Sequence, residues 1–232
     1  MAQSASQRLR KAAQKAAQRK SAVAQKRKAE AALAAGAPGR EIAAALGMPI
    51  SICVATDALF ELGIGWVILG RALPSGSVAA SLFLVDVWCL GIKRAISRRL
   101  DEDEFRVMRR GLSGDMPMSA MAPPVARQLL HEAAAYGSAN GLPPHKDYAL
   151  AEALFGDTPL AGEVFAFGRD GKPQYVSGPN DSPARIRQIM AALGRRLGPD
   201  GFEYMIATEG IDMGDWGEEE DDDEGPVIEH QA

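Results

Sequence analysis

Apolar positions are bunched in the middle of this chain and nearly missing from its two ends. Residues 6–35 are Ala, Gln, Lys and Arg with almost nothing else, and only Leu9, Val23 and Leu33 could pack against anything. Helix propensity is high there, yet a helix that is polar nearly all round is an exposed arm or a segment that orders on a partner. Gly36, Pro38 and Gly39 end it. The next stretch, Gly39 to Pro49, predicts a short amphipathic helix leading into a strand. Its Glu41-Ile42-Ala43-x-x-Leu46-Gly47 spelling looks like the opening of a helix-turn-helix. The adjoining residues, Ile50 to Ala55, are apolar and β-branched and lack the Lys or Arg that a recognition helix requires.

From Ile50 the pattern alternates between strands and helices. Ile50 to Ala55 reads as a strand and Asp57 to Gly63 as a helical turn. Trp66 to Leu73 and Val78 to Trp88 read as strands joined by the turn Pro74-Ser75-Gly76-Ser77, an antiparallel hairpin. Ile92 to Leu112 reads as helical with an interruption at Asp101 to Glu104. Pro123-Pro124 opens a helix through Ala139, with Val125, Leu129, Ala133 and Tyr136 on one face and Gly141 beyond its end. Asp147 stands at the N-cap of a short helix that reaches Phe155. A second hairpin is predicted where Val164–Phe167 and Gln174–Val176 flank Arg169-Asp170-Gly171-Lys172. Ser182 then caps a helix with Pro183 in its first turn and Ile186, Met190, Leu193 and Leu197 as its buried stripe. Phe202 to Ala207 closes the body as a strand. The expected class is α+β: a single mixed domain with two β-hairpins and a C-terminal ββαβ unit. The expected divisions are a basic arm at 1–38, the body at 39–210 and an acidic tail at 211–232.

Charge sharpens that division. Arg8, Arg10, Lys11, Lys15, Arg19, Lys20, Lys26, Arg27 and Lys28 face a single acid, Glu30, in the first thirty residues. Asp212, Asp215, the run Glu218 to Glu224 and Glu229 give the last stretch a charge of −10 with no Lys or Arg. The net charge of −4 therefore hides a strongly basic arm and a strongly acidic tail on a nearly neutral body. A basic arm neutralises phosphates, and an acidic tail cannot. The arm lacks the apolar stretch of a secretory signal, and Asp57, Glu61, Arg71 and Asp86 interrupt the one region where a membrane span could hide. The expectation is a cytoplasmic protein that engages no membrane. Cys53 and Cys89 are the only cysteines, neither in a C-x-x-C pair, which fits a reducing compartment and no cysteine-based zinc site.

Candidate chemistry lies in three places. Asp86, Cys89 and Lys93 stand at and just beyond a strand end, where a thiol beside a lysine would be activated. His145 and Asp147 form an acid–base pair or, with His131, a nitrogen–oxygen ligand set, although the spacing matches no known metal pattern. Gly178, Ser182, Arg185 and Arg187 surround a helix N-terminus that could hold an anion. There is no Walker A sequence and no G-x-G-x-x-G, so no nucleotide cofactor is expected, and no metal. Arginines also cluster at Arg94, Arg98, Arg99, Arg106, Arg109 and Arg110, with Lys93 before them and Arg195 and Arg196 later. They would extend the arm's basic surface or, with Asp101 to Glu104 among them, lace a helix with internal ion pairs.

The segment Phe83-Leu84-Val85-Asp86-Val87-Trp88-Cys89-Leu90-Gly91-Ile92-Lys93 resembles one from an uncharacterised family of bacterial proteins. In that family a basic low-complexity N-terminus precedes a similar Leu-Val-Asp-x-x-Cys-Leu-Gly-Val-Lys segment. Tyr136, His145-Lys146-Asp147-Tyr148 and Phe167-Gly168-Arg169-Asp170-Gly171-Lys172-Pro173, running to Gly178-Pro179, are similar too, so the likeness covers about two thirds of the chain. Some members carry a zinc-binding SEC-C segment, whose cysteines this chain lacks. Lys93-Arg94-Ala95 stands where the family pattern would have Lys-Asp-Ala. The resemblance implies a shared α+β domain and transfers no activity.

Together these features point to an RNA- or ribosome-associated binding protein that uses its basic arm on phosphates, with the tail screening the arm or meeting a basic protein partner. The alternatives are a hydrolytic enzyme built around Asp86, Cys89, Lys93, His145 and Asp147, or a helix-turn-helix regulator or antitoxin.

Overall fold

The computed structural model describes residues 37–206, Asp115 and Asn180 excepted. Residues 1–36 of the basic arm and the whole acidic tail lie outside the described residues. The body is α+β, as its pattern predicts. Its centre is a sheet of β1 (Ile50–Thr56), β2 (Ile64–Ala72), β3 (Ser77–Asp86), β4 (Gly91–Asp101) and β5 (Met118–Ala120). The first four strands form an antiparallel meander, and β5 returns beside β1, giving the order β4-β3-β2-β1-β5.

Both faces of this sheet are covered, which is why β2 and β3 are almost continuously apolar. Val67, Phe83 and Ala95 lie in register on one face, and Ile68, Leu82 and Ile96 on the other. The first face packs against α1 (Ala37–Ala45), α4 (Pro123–Ala139), α5 (Tyr148–Glu152) and a 3-10 turn at Ala153–Phe155. Ile42, Leu129, Leu130, Leu154 and Phe155 supply its contacts. The second face packs under α3 (Glu102–Ser113), whose Phe105, Met108 and Leu112 recur at helical spacing above Ile68, Ala80 and Leu82. A one-turn helix, α2 (Leu59–Leu62), links β1 to β2.

The hairpin of β2 and β3, the span of α4, and the helix that Ser182 caps all agree with the local signals. That helix, α6 (Pro183–Leu197), buries Ile186, Ile189 and Leu193, with Met190 and Leu197 half-buried beside them. The segment Ile92 to Leu112 is a correction. It is not one interrupted helix, because β4 occupies its first half and pairs with β3 along its whole length. The two strands form a hairpin across the turn at 87–90, and the arginines of β4 leave no regular apolar alternation to announce it. The expected interruption is the strand-to-helix junction. Asp101 accepts the Glu104 N–H (2.7 Å) and Glu104 accepts the Asp101 N–H (2.9 Å), a reciprocal cap.

The C-terminal part differs in one strand from the predicted ββαβ. The Asp170-Gly171 turn forms with positive φ at both residues and is closed by a bridge between Arg169 and Lys172. Pairing stops there. Phe165 and Phe167 leave any ladder to stack on Phe60 and Tyr136, with centroids 5.8 and 5.0 Å apart. The Phe165 N–H goes to the Glu132 carboxylate and the Gly168 N–H to the Val87 carbonyl. Aromatic burial thus outweighs a marginal hairpin. The second strand, β6 (Gln174–Val176), pairs instead in parallel with β7 (Glu203–Met205) across α6. Among the described residues no helix is long and apolar enough to cross a membrane.

Candidate functional site

The turn between β3 and β4 gathers most of the residues that the sequence marks for chemistry. Asp86 ends β3 with 6% of its surface exposed, and its carboxylate accepts the N–H groups of Cys89 (2.8 Å) and Trp88 (3.1 Å). Burial pushes its pKa up to about 6, against the downward pull of those N–H groups and of the Lys93 charge. Cys89 faces the other way, fully buried among Leu90, Leu142, Tyr175, Ile186, Ile189 and Leu193. Burial first, and then the Asp86 charge, push its thiol far above the ordinary range. A buried thiol that holds its proton is no nucleophile in this conformation.

The backbone of the turn is equally committed. The Trp88 carbonyl accepts from the Tyr136 hydroxyl (3.0 Å) and the Gln174 N–H (3.0 Å), and the Cys89 carbonyl accepts from the Asn140 amide (3.1 Å). Gly91 has φ 68°, and a Cβ there would run into the Ala133 carbonyl of α4. The Asp-x-x-Cys-Leu-Gly spelling is therefore the sequence of a tight turn wedged between two helices and a loop.

Lys93 reaches away from Cys89. Its Nζ lies 3.0 Å from Asp181, whose carboxylate also accepts the Gly178 N–H (2.8 Å) and the Tyr175 hydroxyl (3.2 Å). Burial raises the Asp181 pKa, but the Gly178 N–H and the bond and charge of Lys93 outweigh it, and the group sits below the usual carboxylate range. Two stretches that look separate in the sequence, Lys93 and the Gly178–Ser182 turn, are one cluster. Its anion is supplied from within. Asp181 takes the free amide and the lysine, and the Ser182 hydroxyl takes the Arg185 N–H (3.2 Å). Arg185 and Arg187 are exposed to solvent.

His145 meets the same strand, its N–H bonded to the Ile92 carbonyl (3.0 Å), while its Nδ1 lies 3.8 Å from the Asp147 carboxylate. Among the described residues the side-chain partner of His145 is Asp147, whereas Asp86 is occupied by the amides of its own turn. Among the described residues no hydrogen bond or ion pair joins the side chains of the two halves of the expected hydrolytic site. His131 is exposed on α4, and the described residues hold no group of three His, Cys, Asp or Glu side chains placed for a metal.

A second grouping is basic. Arg94 and Arg98 stand on the edge strand β4, opposite Leu84 and Ala80. Arg99 donates to the hydroxyls of Ser77 (2.9 Å) and Ser75 (3.1 Å). Of the acids that interleave with these arginines, Asp101 and Glu104 cap α3, while Asp103 (2.8 Å) and Glu102 (3.6 Å) hold Arg106. Arg94, Arg98, Arg109 and Arg110 are exposed and have no ion pair among the described residues. Arg109 lines a groove of about 390 Å³ floored by Ile52, Val78 and Phe105.

Two structural roles escape sequence reasoning. Asp181 is the partner of Lys93, which only the fold brings near. Arg71 is a buried cation whose guanidinium donates to the carbonyls of Leu154, Phe155, Leu46 and Met48. Its signal in the sequence is a charge inside an apolar strand, which interrupts a membrane span and equally marks a buried clamp. No protein-family model, curated protein or solved structure matches the chain.

Proposed function

We propose that this chain is an RNA-binding protein, associated with ribosomal or structured RNA, that holds phosphate backbone through its basic arm. The nine Lys and Arg from Arg8 to Lys28 supply the contact, and the exposed arginines of β4 and α3 offer further cations on the body. The observation that carries this reading is where exposed arginines stand on the body relative to the strands that precede the acidic tail. The arm runs into α1, whose C-terminal end is clamped by Arg71 near the β2–β3 turn. Arg98 and Arg99 stand in that same half of the sheet, opposite Ala80 and Ala79. The acidic tail comes after β7, which is joined through β6 to the turn at the far end of β3. Ten residues of β3 separate the two ends, roughly 30 Å of extended chain. Arg98 and Arg99 thus stand at the end of β3 away from the strand pair that precedes the acidic tail.

Further support comes from the other two readings. The hydrolytic reading depends on a Cys89 that is buried and protonated, and the helix-turn-helix reading on a second helix where β1 stands. Two free, buried cysteines suit the cytoplasm.

The test is binding to a duplex RNA hairpin across a salt series, for the full chain and for a protein starting at Ala37. Nine phosphate contacts on a duplex would give a log–log salt slope of about −8. Removing the arm should abolish most of the affinity and most of that slope. An arm-deleted protein that binds as well as the full chain would sink the proposal.

A further inference from the structure

The β6–β7 pair is an unfinished sheet. On its inner side it is closed, since the Gln174 N–H donates to the Trp88 carbonyl (3.0 Å). Between the strands, the Glu203 N–H donates to the Pro173 carbonyl (2.8 Å) and the Met205 carbonyl accepts from the Ser177 N–H (2.9 Å). Backbone groups of successive residues in a strand point to opposite sides, so the N–H and C=O of Tyr204 point outward. No described residue bonds to either of them. Two-stranded sheets are marginal by themselves, and parallel strands are normally covered.

The side chains beside this open edge are apolar and exposed. Tyr204 is 54% exposed, Met205 59%, and Val176, in register with Met205, 38%. Edge strands ordinarily discourage pairing with Lys, Pro or a bulge. Residues 202–206, Phe-Glu-Tyr-Met-Ile, contain no Lys or Pro and show no bulge in their register. Three residues of strand are too little for a stable dimer, which buries on the order of 1,000 Å² or more, and suit a single peptide strand. The surrounding charge selects its chemistry. Glu203 is exposed, and the −10 tail begins a few residues beyond β7.

We propose that the outer edge of β7 accepts an added strand from a protein partner, an extended segment that carries basic and apolar side chains two residues apart, on the same face. The partner's backbone would bond to Tyr204, its apolar side chains would cover Met205 and Val176, and its cations would meet Glu203 and the tail. This site is separate from the arginines of β4 and α3 and does not depend on RNA binding.

The probe is a synthetic peptide repeating lysine-threonine-valine-threonine, which puts lysine and valine on one face, with a control carrying glutamate in place of lysine. Fluorescence anisotropy with the full chain should show binding of the lysine peptide only. Hydrogen exchange of the Tyr204 amide should slow by tenfold or more when the peptide is bound. Tyr204→Pro, which removes the outward donor, and Met205→Lys, which leaves the backbone intact, should each weaken binding by tenfold or more. Lysine-peptide binding without protection of the Tyr204 amide, and undiminished by Met205→Lys, would place the peptide on the acidic tail alone and overturn the proposal. So would no binding, or a free protein that dimerises with that amide already protected.

Discussion

Replacing Arg71 with methionine keeps a long side chain but removes the cation at the junction of α1, the sheet and the 153–155 turn. Arg71 is 7% exposed, and Nε donates to the Leu154 carbonyl at 2.7 Å, Nη2 to Phe155 at 3.0 Å and Nη1 to Leu46 at 3.3 Å. Nη1 also donates to the Met48 carbonyl. Burial lowers its pKa, and the charge of Asp157 partly restores it. The side chain is the buried partner of four carbonyls that end a helix, a loop and a 3-10 turn, of which Phe155 also accepts from the Thr158 N–H (3.2 Å) and hydroxyl (2.8 Å), so up to three would be left unmet. Leaving a buried acceptor unmet costs about 1–3 kcal/mol, and removing a buried charge recovers part of that sum. The expected net loss for Arg71→Met is about 3–5 kcal/mol, a large share of the roughly 5–15 kcal/mol typical of a domain. With a urea m-value of about 2 kcal/mol per molar, the midpoint should fall by roughly 2 M. Arg71→Lys keeps the charge but not the fork, so its midpoint should lie between the two. A loss below about 1 kcal/mol for the methionine variant, inside the usual range of surface changes, would refute the clamp.

Two further outcomes test the β3–β4 turn. Asp86 titrates at about 6 in the fold, above its unfolded value of 3.8, so the native state binds the extra proton between those values and stability falls as pH rises through that window. Asp86→Asn keeps an acceptor for the Trp88 and Cys89 amides without the charge, and should gain up to about 3 kcal/mol on the wild type between about pH 4 and pH 8. Thermal midpoints of both proteins across that range decide it, and parallel curves would count against the buried carboxylate. Cys89 and Cys53, the latter pushed up to about 11 by burial, should both resist alkylation until denatured. Selective labelling of native Cys89 would mark it as a nucleophile after all.

Elements whose signals are local were legible in the amino-acid order. Pro123-Pro124, Ser182-Pro183 and Asp170-Gly171 set backbone angles or caps by themselves, so α4, α6 and the tight turn stand where those residues put them. The β2–β3 hairpin needs only its turn and two neighbouring apolar runs. The α+β class comes from these, and the separation of charge between the two ends is a property of the chain before it folds. Tertiary structure decided everything that joins residues far apart. β4 is the exception among neighbours: only the turn at 87–90 separates it from β3, yet Arg94, Arg98 and Arg99 make it look helical until the pairing with β3 outweighs local propensity. Phe165 and Phe167 could have paired with β6, but a ring stack with Phe60 and Tyr136 buries more apolar surface. The candidate site was legible as a set of residues and not as an arrangement. Asp86, Cys89 and Lys93 are close in sequence, yet folding turns one into a turn's acceptor, one into core and one toward Asp181, 88 residues away. Side-chain direction and burial, which set their chemistry, exist only once the helices have packed on the sheet.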